Sequence, residues 1–227
     1  MKLLANKEIE SIVDLACDNA LSSLKQGNKS FVYNPFTAEF LKTFEGLVPG
    51  ELFINCGNKV RLAFVLHIDF FNPNGVTTHS NSDSISLISL ALLNLPTDIC
   101  YLPQNLFPAI IPGPQEPKDN EINHYLQPII NEFCVGWECS FHISQTASSP
   151  DNGRDIEIAM ALSLNDLPAA QKVSGAAGHT SHFICTQYKL FDCDNIHRID
   201  CKNWTLQDMA FLQQKAEEWR AAYSNVK

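Results

Sequence analysis

Residues 60–69 read Val-Arg-Leu-Ala-Phe-Val-Leu-His-Ile-Asp, a nearly continuous apolar run that ends in an aspartate. A strand that is covered on both faces of a sheet has this composition. The segment that follows, Asn72-Pro73-Asn74-Gly75, is strong turn chemistry and stops the strand. The run therefore predicts a central buried strand with Asp69 at its carboxyl end.

Three further apolar segments predict strands around this one, at residues 84–93, 105–111 and 156–164. Prolines at positions 96, 103, 112 and 114 confine the first two of these segments, because proline cannot donate a hydrogen bond to a sheet. The first three strands follow one another as a meander would. The fourth ends in Asn165 and Asp166.

Helical spacing of apolar residues predicts the other elements. It occurs in residues 7–24, after Asp119 and after Thr205, and Asp119 and Thr205 are candidate N-caps. Prolines suit the first turn of two shorter helices near residues 35 and 168. The polar stretch 144–152 is the one linker candidate, and we expect an N-terminal helical segment over residues 1–50 and an α/β domain over residues 51–227.

Composition and charge restrict the class of protein. The chain has 227 residues, of which 45% are hydrophobic and 18% are charged, so it can bury a substantial core. Its formal net charge of −9 repels nucleic-acid phosphate on average. A role in coating DNA without sequence preference is therefore excluded, and any DNA contact needs a local basic patch or metal ions.

The cellular compartment follows from targeting signals and cysteines. Charged residues such as Lys7, Glu8 and Asp14 interrupt the N-terminal apolar positions, so the sequence predicts neither a secretory signal nor secretion. No apolar stretch reaches the roughly 20 residues that span a bilayer, and we expect no membrane association. The eight cysteines have no framework spacing, which favours reduced thiols in a nuclear or cytoplasmic protein.

The predicted order of strand, strand, strand, helix, strand and helix is that of a ribonuclease-H-like fold, a mixed sheet flanked by helices. Its first and fourth strands lie side by side, which would bring together Asp69 and Asp166, 97 residues apart in the sequence. Two carboxylates held close together suit Mg²⁺ ions that activate water and stabilise a leaving oxygen. Each aspartate also has a local explanation: Asp69 can open a turn, and Asp166 can cap the next helix.

Five segments carry a family resemblance. In chain order they are residues 68–73 (Ile-Asp-Phe-Phe-Asn-Pro), 93–96 (Leu-Asn-Leu-Pro), 111–117 (Ile-Pro-Gly-Pro-Gln-Glu-Pro), 122–128 (Ile-Asn-His-Tyr-Leu-Gln-Pro) and 166–172 (Asp-Leu-Pro-Ala-Ala-Gln-Lys). The series resembles the transposases of fungal CACTA-like (Plavaka-type) DNA transposons over most of the chain from about residue 50. The resemblance implies a DDE-type nuclease and strand transferase, in which two aspartates and a glutamate bind Mg²⁺ or Mn²⁺ and cut transposon-end DNA.

In this resemblance, Asp69 and Asp166 match the first and second catalytic positions. The family also has a Cys-x-x-Cys pair, half of a zinc site, about one helix after the second aspartate. Cys185 matches its first cysteine and is the candidate zinc ligand, but Tyr188 stands at the second position, and tyrosine is not a usual zinc ligand. The sequence therefore does not predict a complete zinc site. Neither Glu217 nor Glu218 is assigned the role of the third carboxylate.

Three hypotheses follow. The first is a truncated, transposon-derived DDE transposase core with an incomplete C-terminal part, whose activity on transposon-end DNA is impaired and which can form homo-oligomers. The second is a non-catalytic, domesticated protein-interaction module, which the charge of −9 and the missing second cysteine favour. The third is a decaying relic that folds poorly because it lacks its later strand.

Overall fold

In the computed structural model, the described residues are 3–25, 34–73, 84–118, 121–174, 185, 187–190 and 199–224. The chain divides into two compact units, Met1–Asp166 and Leu167–Lys227. All strands of the sheet lie in the first unit.

The described part of the first unit is a mixed α/β structure. Its helices are α1 (Lys7–Lys25), α2 (Glu39–Thr43), α3 (Thr97–Cys100) and α4 (Ile122–Glu138). Its strands are β1 (Val60–Phe71), β2 (Ile85–Leu92), β3 (Leu106–Ile111), β4 (Phe141–Ile143) and β5 (Arg154–Ser163). Short 3₁₀ turns cover Leu3–Ala5, Pro35–Thr37 and Pro103–Asn105.

The described strands form a five-stranded sheet in the order β3-β2-β1-β5-β4. The pairs β1 with β2, β2 with β3, and β4 with β5 are antiparallel, and β1 with β5 is parallel. The predicted meander of the first three strands is therefore confirmed, as is the adjacency of the first strand and the strand that precedes Asp166. Strand β4 was not predicted, because three residues are too few to show an alternating pattern.

Strand β1 is the central strand, as its apolar run predicts. Every residue from Val60 to Leu66 is buried, because β2 and β5 cover both edges and helices cover the faces. The strand continues two residues beyond its predicted end, to Phe71. Asp69 therefore lies inside the strand, where it pairs with Leu87 of β2.

Two clusters of buried apolar side chains hold helices to the sheet. One joins Ala16 and Ala20 of α1 to Ala63 and Val65 of β1. The other joins Phe133 of α4 to the sheet, including Phe64, whose ring meets it edge-on at a centroid distance of 5.4 Å. The N-terminal helix α1 therefore shares its core with the strands.

Helix α4 approaches β5 closely because a glycine lies at the contact. A Cβ atom added to Gly136 would lie 2.4 Å from Cγ1 of Ile158 and 2.5 Å from Cε2 of Phe141. No side chain fits at such distances without displacing its neighbours. The glycine thus sets the spacing between this helix and the sheet.

Residues 144–152 are not a linker, contrary to the sequence prediction. They connect β4 to β5 and are tied to α1 through Glu10, whose side chain is 1% exposed. The Glu10 carboxylate accepts hydrogen bonds from the Ser148 amide (2.7 Å), the Ser148 hydroxyl (2.6 Å) and Arg154 Nη1 (3.0 Å). Arg154 also donates to Asp14 over 2.8 Å. A polar sequence alone did not reveal this attachment, since its partners lie about 140 positions away.

The second unit contains two described α-helices, α5 (Leu167–Ser174) and α6 (Met209–Ser224). Helix α6 begins after the predicted cap, since the side chain of Asp208, and not that of Thr205, accepts the Phe211 amide over 3.0 Å. The Thr205 carbonyl instead accepts the Lys189 amide over 2.8 Å. Asp119, which was predicted to cap α4, lies outside the described residues.

None of the described helices combines the length and the apolar character that crossing a membrane requires.

We expect Glu10→Gln to lower the free energy of unfolding at pH 7 by about 2 kcal/mol, because it weakens charge-assisted hydrogen bonds to a buried carboxylate. Burial opposes ionisation of Glu10, but the hydrogen bonds from Ser148, Thr146 and Arg154 outweigh it and hold its pKa below the ordinary value of 4.5. Glu10 thus stabilises the fold above that value, and this contribution disappears as the pH falls through the lower folded-state pKa. Urea denaturation at pH 7 and pH 3 measures both effects.

The matched control is Glu8→Gln, the same substitution at an exposed position of the same helix. It should change stability by less than about 0.5 kcal/mol. Equal effects of the two substitutions, or an effect of Glu10→Gln that persists undiminished at pH 3, would contradict the role assigned to Glu10.

Candidate acidic metal site

The two predicted site aspartates lie at the same end of neighbouring strands. In the parallel ladder of β1 and β5, Leu66 pairs with Ser163. Asp69 and Asp166 each follow this pair by three residues, and both side chains are exposed. Neighbouring strands are about 4.8 Å apart. Both positions thus lie the same number of residues beyond the last pair of the ladder, and that the two carboxylates meet there stays a prediction.

Beyond Ser163 the chain leaves the regular strand conformation but stays attached to β1. The Leu164 amide donates to the Leu66 carbonyl over 2.8 Å. The next donor on β1, the Ile68 amide, binds the side-chain oxygen of Asn165 over 2.7 Å. The segment that carries Asp166 is thus held against the strand that carries Asp69.

His67 makes a third contact between the same two segments. Its Nδ1 lies 3.0 Å from the carbonyl oxygen of Leu164, which can only accept, so Nδ1 carries the proton. The other ring nitrogen, Nε2, is buried and has no hydrogen-bond partner among the described residues. The imidazole also packs edge-on against Tyr101, with ring centroids 5.8 Å apart. These contacts explain why a histidine lies half-buried within the apolar run of β1.

The local explanations of the two aspartates have different outcomes. A turn does not explain Asp69, because the residue lies within β1 and pairs with Leu87. Asp166 immediately precedes α5, so it occupies the position of an N-cap residue. A capping role for Asp166 is compatible with its place in the chain, whereas Asp69 has no such local role.

The two carboxylates fit a hard divalent cation. Mg²⁺ prefers oxygen ligands and is commonly bound by one or two carboxylates, with water and substrate phosphates completing its shell. Among the residues that the structure describes, there is no group of three or more His, Cys, Asp or Glu side chains that could hold a metal. The donor set is therefore a pair of aspartates that leaves most of the coordination shell open.

Other charged candidates have structural partners. Arg154, a basic residue that could contact phosphate, is bound to Glu10 and Asp14. Hydrogen bonding to Asp14 outweighs burial and raises the pKa of Arg154 above its ordinary value. Glu218 is exposed on α6 and bonds to Lys215 over 2.7 Å, as expected for a solvated helix face.

The candidate zinc ligand lies in the second unit. Cys185 is half-buried, and its sulfur accepts the Gln187 amide over 3.4 Å. Tyr188, at the position of the family's second cysteine, forms a bridge to Leu206 and packs against Trp204 with ring centroids 5.5 Å apart. The tyrosine thus has a packing role. Among the cysteines and histidines close to it in the sequence, those at positions 179, 182, 193 and 197 lie outside the described residues, and Cys201 is exposed.

These features define a mixed α/β protein with an acidic candidate metal site at one end of its sheet. The model of the transposase family tnp2 matches residues 31–223, and the chain belongs to this family. A search of curated proteins finds no match. The predicted relation to transposases is therefore confirmed at the level of the family.

We expect Asp69→Asn to shift the thermal unfolding midpoint by less than about 2 °C, because surface substitutions outside structural contacts change stability very little. Removing one of two like charges also relieves repulsion at this end of the sheet. Differential scanning calorimetry measures the shift, with Ile68→Ala as a comparison, since Ile68 is 2% exposed on the same strand. A large loss of stability in Asp69→Asn would make the aspartate a structural residue.

Proposed function

We propose that this chain is the catalytic core of a DDE-type transposase of the CACTA-like, Plavaka-type class. Its substrate is transposon-end DNA, and its Asp69 and Asp166 bind Mg²⁺ for strand cleavage and transfer. The observation that carries the proposal is the register of β1 and β5, whose last pair, Leu66 with Ser163, precedes each aspartate by three residues in a chain of a transposase family.

The strand order supports a ribonuclease-H-like fold. An antiparallel meander is followed by a helix and then by a strand that returns beside the first one, parallel to it. In open sheets that contain parallel strands, ligands bind outside the carboxyl ends of those strands. Asp69 and Asp166 lie at that edge. The short strand β4 is an addition to this pattern.

The chemistry of the pair suits phosphodiester cleavage. A bound pair of Mg²⁺ ions supplies a polarised water and stabilises the leaving oxygen. The task of the two aspartates is to hold the cation at a rigid place, and the exposure of both side chains leaves that place open to DNA. A cation between the strands and the phosphates also offsets the repulsion that a net charge of −9 imposes on DNA.

The alternative is a domesticated protein-interaction module that keeps the fold without catalysis. Tyr188 favours it, because this residue has taken a packing role at the position of a family cysteine. The net charge of −9 also fits a protein partner better than DNA. The two functions differ in their dependence on a divalent cation, which is the basis of the test.

The test is Mn²⁺ binding, followed by water proton relaxation with the full chain. We expect binding by the wild type and a loss of at least tenfold in affinity for both Asp69→Asn and Asp166→Asn, because each removes one of two carboxylate ligands. Asp155→Asn is the matched control. Asp155 is also exposed, but it lies at the start of β5. The Asp155→Asn variant should therefore bind Mn²⁺ like the wild type.

Cleavage of a DNA duplex with Mg²⁺ is the second measurement. Activity that both site variants lose and Asp155→Asn keeps would support the transposase core. Absence of Mn²⁺ binding, or binding that neither site variant changes, would contradict the proposal and favour the interaction module.

A further inference from the structure

We infer that Asn165 and His67 are positioning residues that fix Asp166 relative to Asp69. This inference rests on the proposed metal site and goes beyond the two ligands. The regular backbone pairing of β1 and β5 ends before the aspartates. Beyond that point, the Asn165 and His67 side chains make hydrogen bonds between the two segments.

Asn165 acts as a substitute for the backbone of β5. The regular pairing of the two strands ends at Leu66 and Ser163, and the Leu164 amide then bonds to the Leu66 carbonyl. The Ile68 amide is the next donor, and it finds the Asn165 Oδ1 atom at 2.7 Å. The other end of the same amide, Nδ2, donates to the Ser163 hydroxyl over 2.8 Å. Both ends of the side chain are therefore fixed, and the peptide that leads to Asp166 is fixed with them.

The His67 side chain holds the same segment by a hydrogen bond to Leu164. Its Nδ1–H donates to the Leu164 carbonyl over 3.0 Å, and packing against Tyr101 holds the ring. His67 and Asp69 are two residues apart on β1, so both side chains point to one face of the sheet. Strand β1 thus carries both the proposed ligand Asp69 and the His67 side chain, which holds the segment that precedes Asp166.

We expect loss of these contacts to lower the affinity for the metal ion more than the free energy of unfolding. A cation shared by two carboxylates needs both within a fraction of an ångström of their productive positions. Without the Asn165 side chain, the segment after Ser163 keeps the Leu164 backbone bond and the His67 contact to β1, and we expect Asp166 to sample a wider range of positions. Groups that orient metal ligands typically contribute 10- to 100-fold in metal affinity, so we expect a loss of about tenfold.

The experiment compares Mn²⁺ affinity of the wild type, Asn165→Ala and Asn94→Ala. Asn94 is the matched control because its Oδ1, like that of Asn165, accepts a backbone amide of β1. Its Oδ1 accepts the Ala63 amide and its Nδ2 donates to the Arg61 carbonyl, each over 2.9 Å. Ala63 is six residues from Asp69, or about 20 Å along the strand. Asn165→Ala should weaken Mn²⁺ binding about tenfold, whereas Asn94→Ala should change it less than twofold.

A second pair of variants tests His67 independently. His67→Ala removes the donor to Leu164, and we expect weaker Mn²⁺ binding. His67→Asn keeps an N–H donor near the position of Nδ1 and should restore most of the affinity. Restoration by asparagine identifies the hydrogen bond, since loss of ring packing against Tyr101 would affect both variants equally. If Asn94→Ala does not fold, Asn105→Ala replaces it, because Asn105 is 7% exposed and bonds to the Ile99 carbonyl.

The outcomes separate this inference from the proposed function. If the wild type binds Mn²⁺ through both aspartates but Asn165→Ala binds as tightly as the wild type, the positioning role is wrong and the metal site stands. Equal losses in Asn165→Ala and Asn94→Ala would also overturn it, because they would reflect general destabilisation. If the wild type does not bind Mn²⁺ at the aspartates, the proposed function itself fails.

Discussion

The register between β1 and β5 is the constraint on which the first unit depends. Arg61 lies opposite Glu157 in this parallel ladder, and its Nε donates to Glu157 Oε2 over 2.6 Å. Both side chains are at most 10% exposed, so loss of either partner weakens the compensation of a largely buried charge. A slip of one residue would separate the pair and turn the faces of the strand over. At the far end of the same ladder, the last pair, Leu66 with Ser163, precedes Asp69 and Asp166 by three residues each.

The two ends of the β1–β5 pair carry charged side chains in different environments. At the start of the pair, burial opposes ionisation of Glu157, but Lys59 and Arg61 outweigh it and hold its pKa below the ordinary value. At the end of the pair, Asp69 and Asp166 are exposed carboxylates of the same sign. The buried end is compensated within the protein, and the exposed end is suited to a ligand. This exposed end is where the metal site is proposed.

The N-terminal helix α1 also contacts β5 and β1. Glu10 of α1 bonds to Ser148 and Arg154, and Arg154 begins β5, the strand that leads to the candidate site. Ala16 and Ala20 share a core with β1. Because β5 receives contacts from α1 at its start, from α4 through Gly136, and from β1 along its length, the aspartate at its end follows a well-anchored strand.

The sequence by itself determined the central strand and the meander, because apolar runs and turn residues act over a few neighbouring positions, and it named the two aspartates as candidate metal ligands. It also indicated the family, through short segments whose order is preserved. Only the tertiary structure decided which polar side chains complete the sheet. Asn165 fills a ladder position on a strand 97 residues away, and Arg154 pairs with Glu10 across 144 residues. Such contacts depend on how distant segments pack, and no local pattern contains that information.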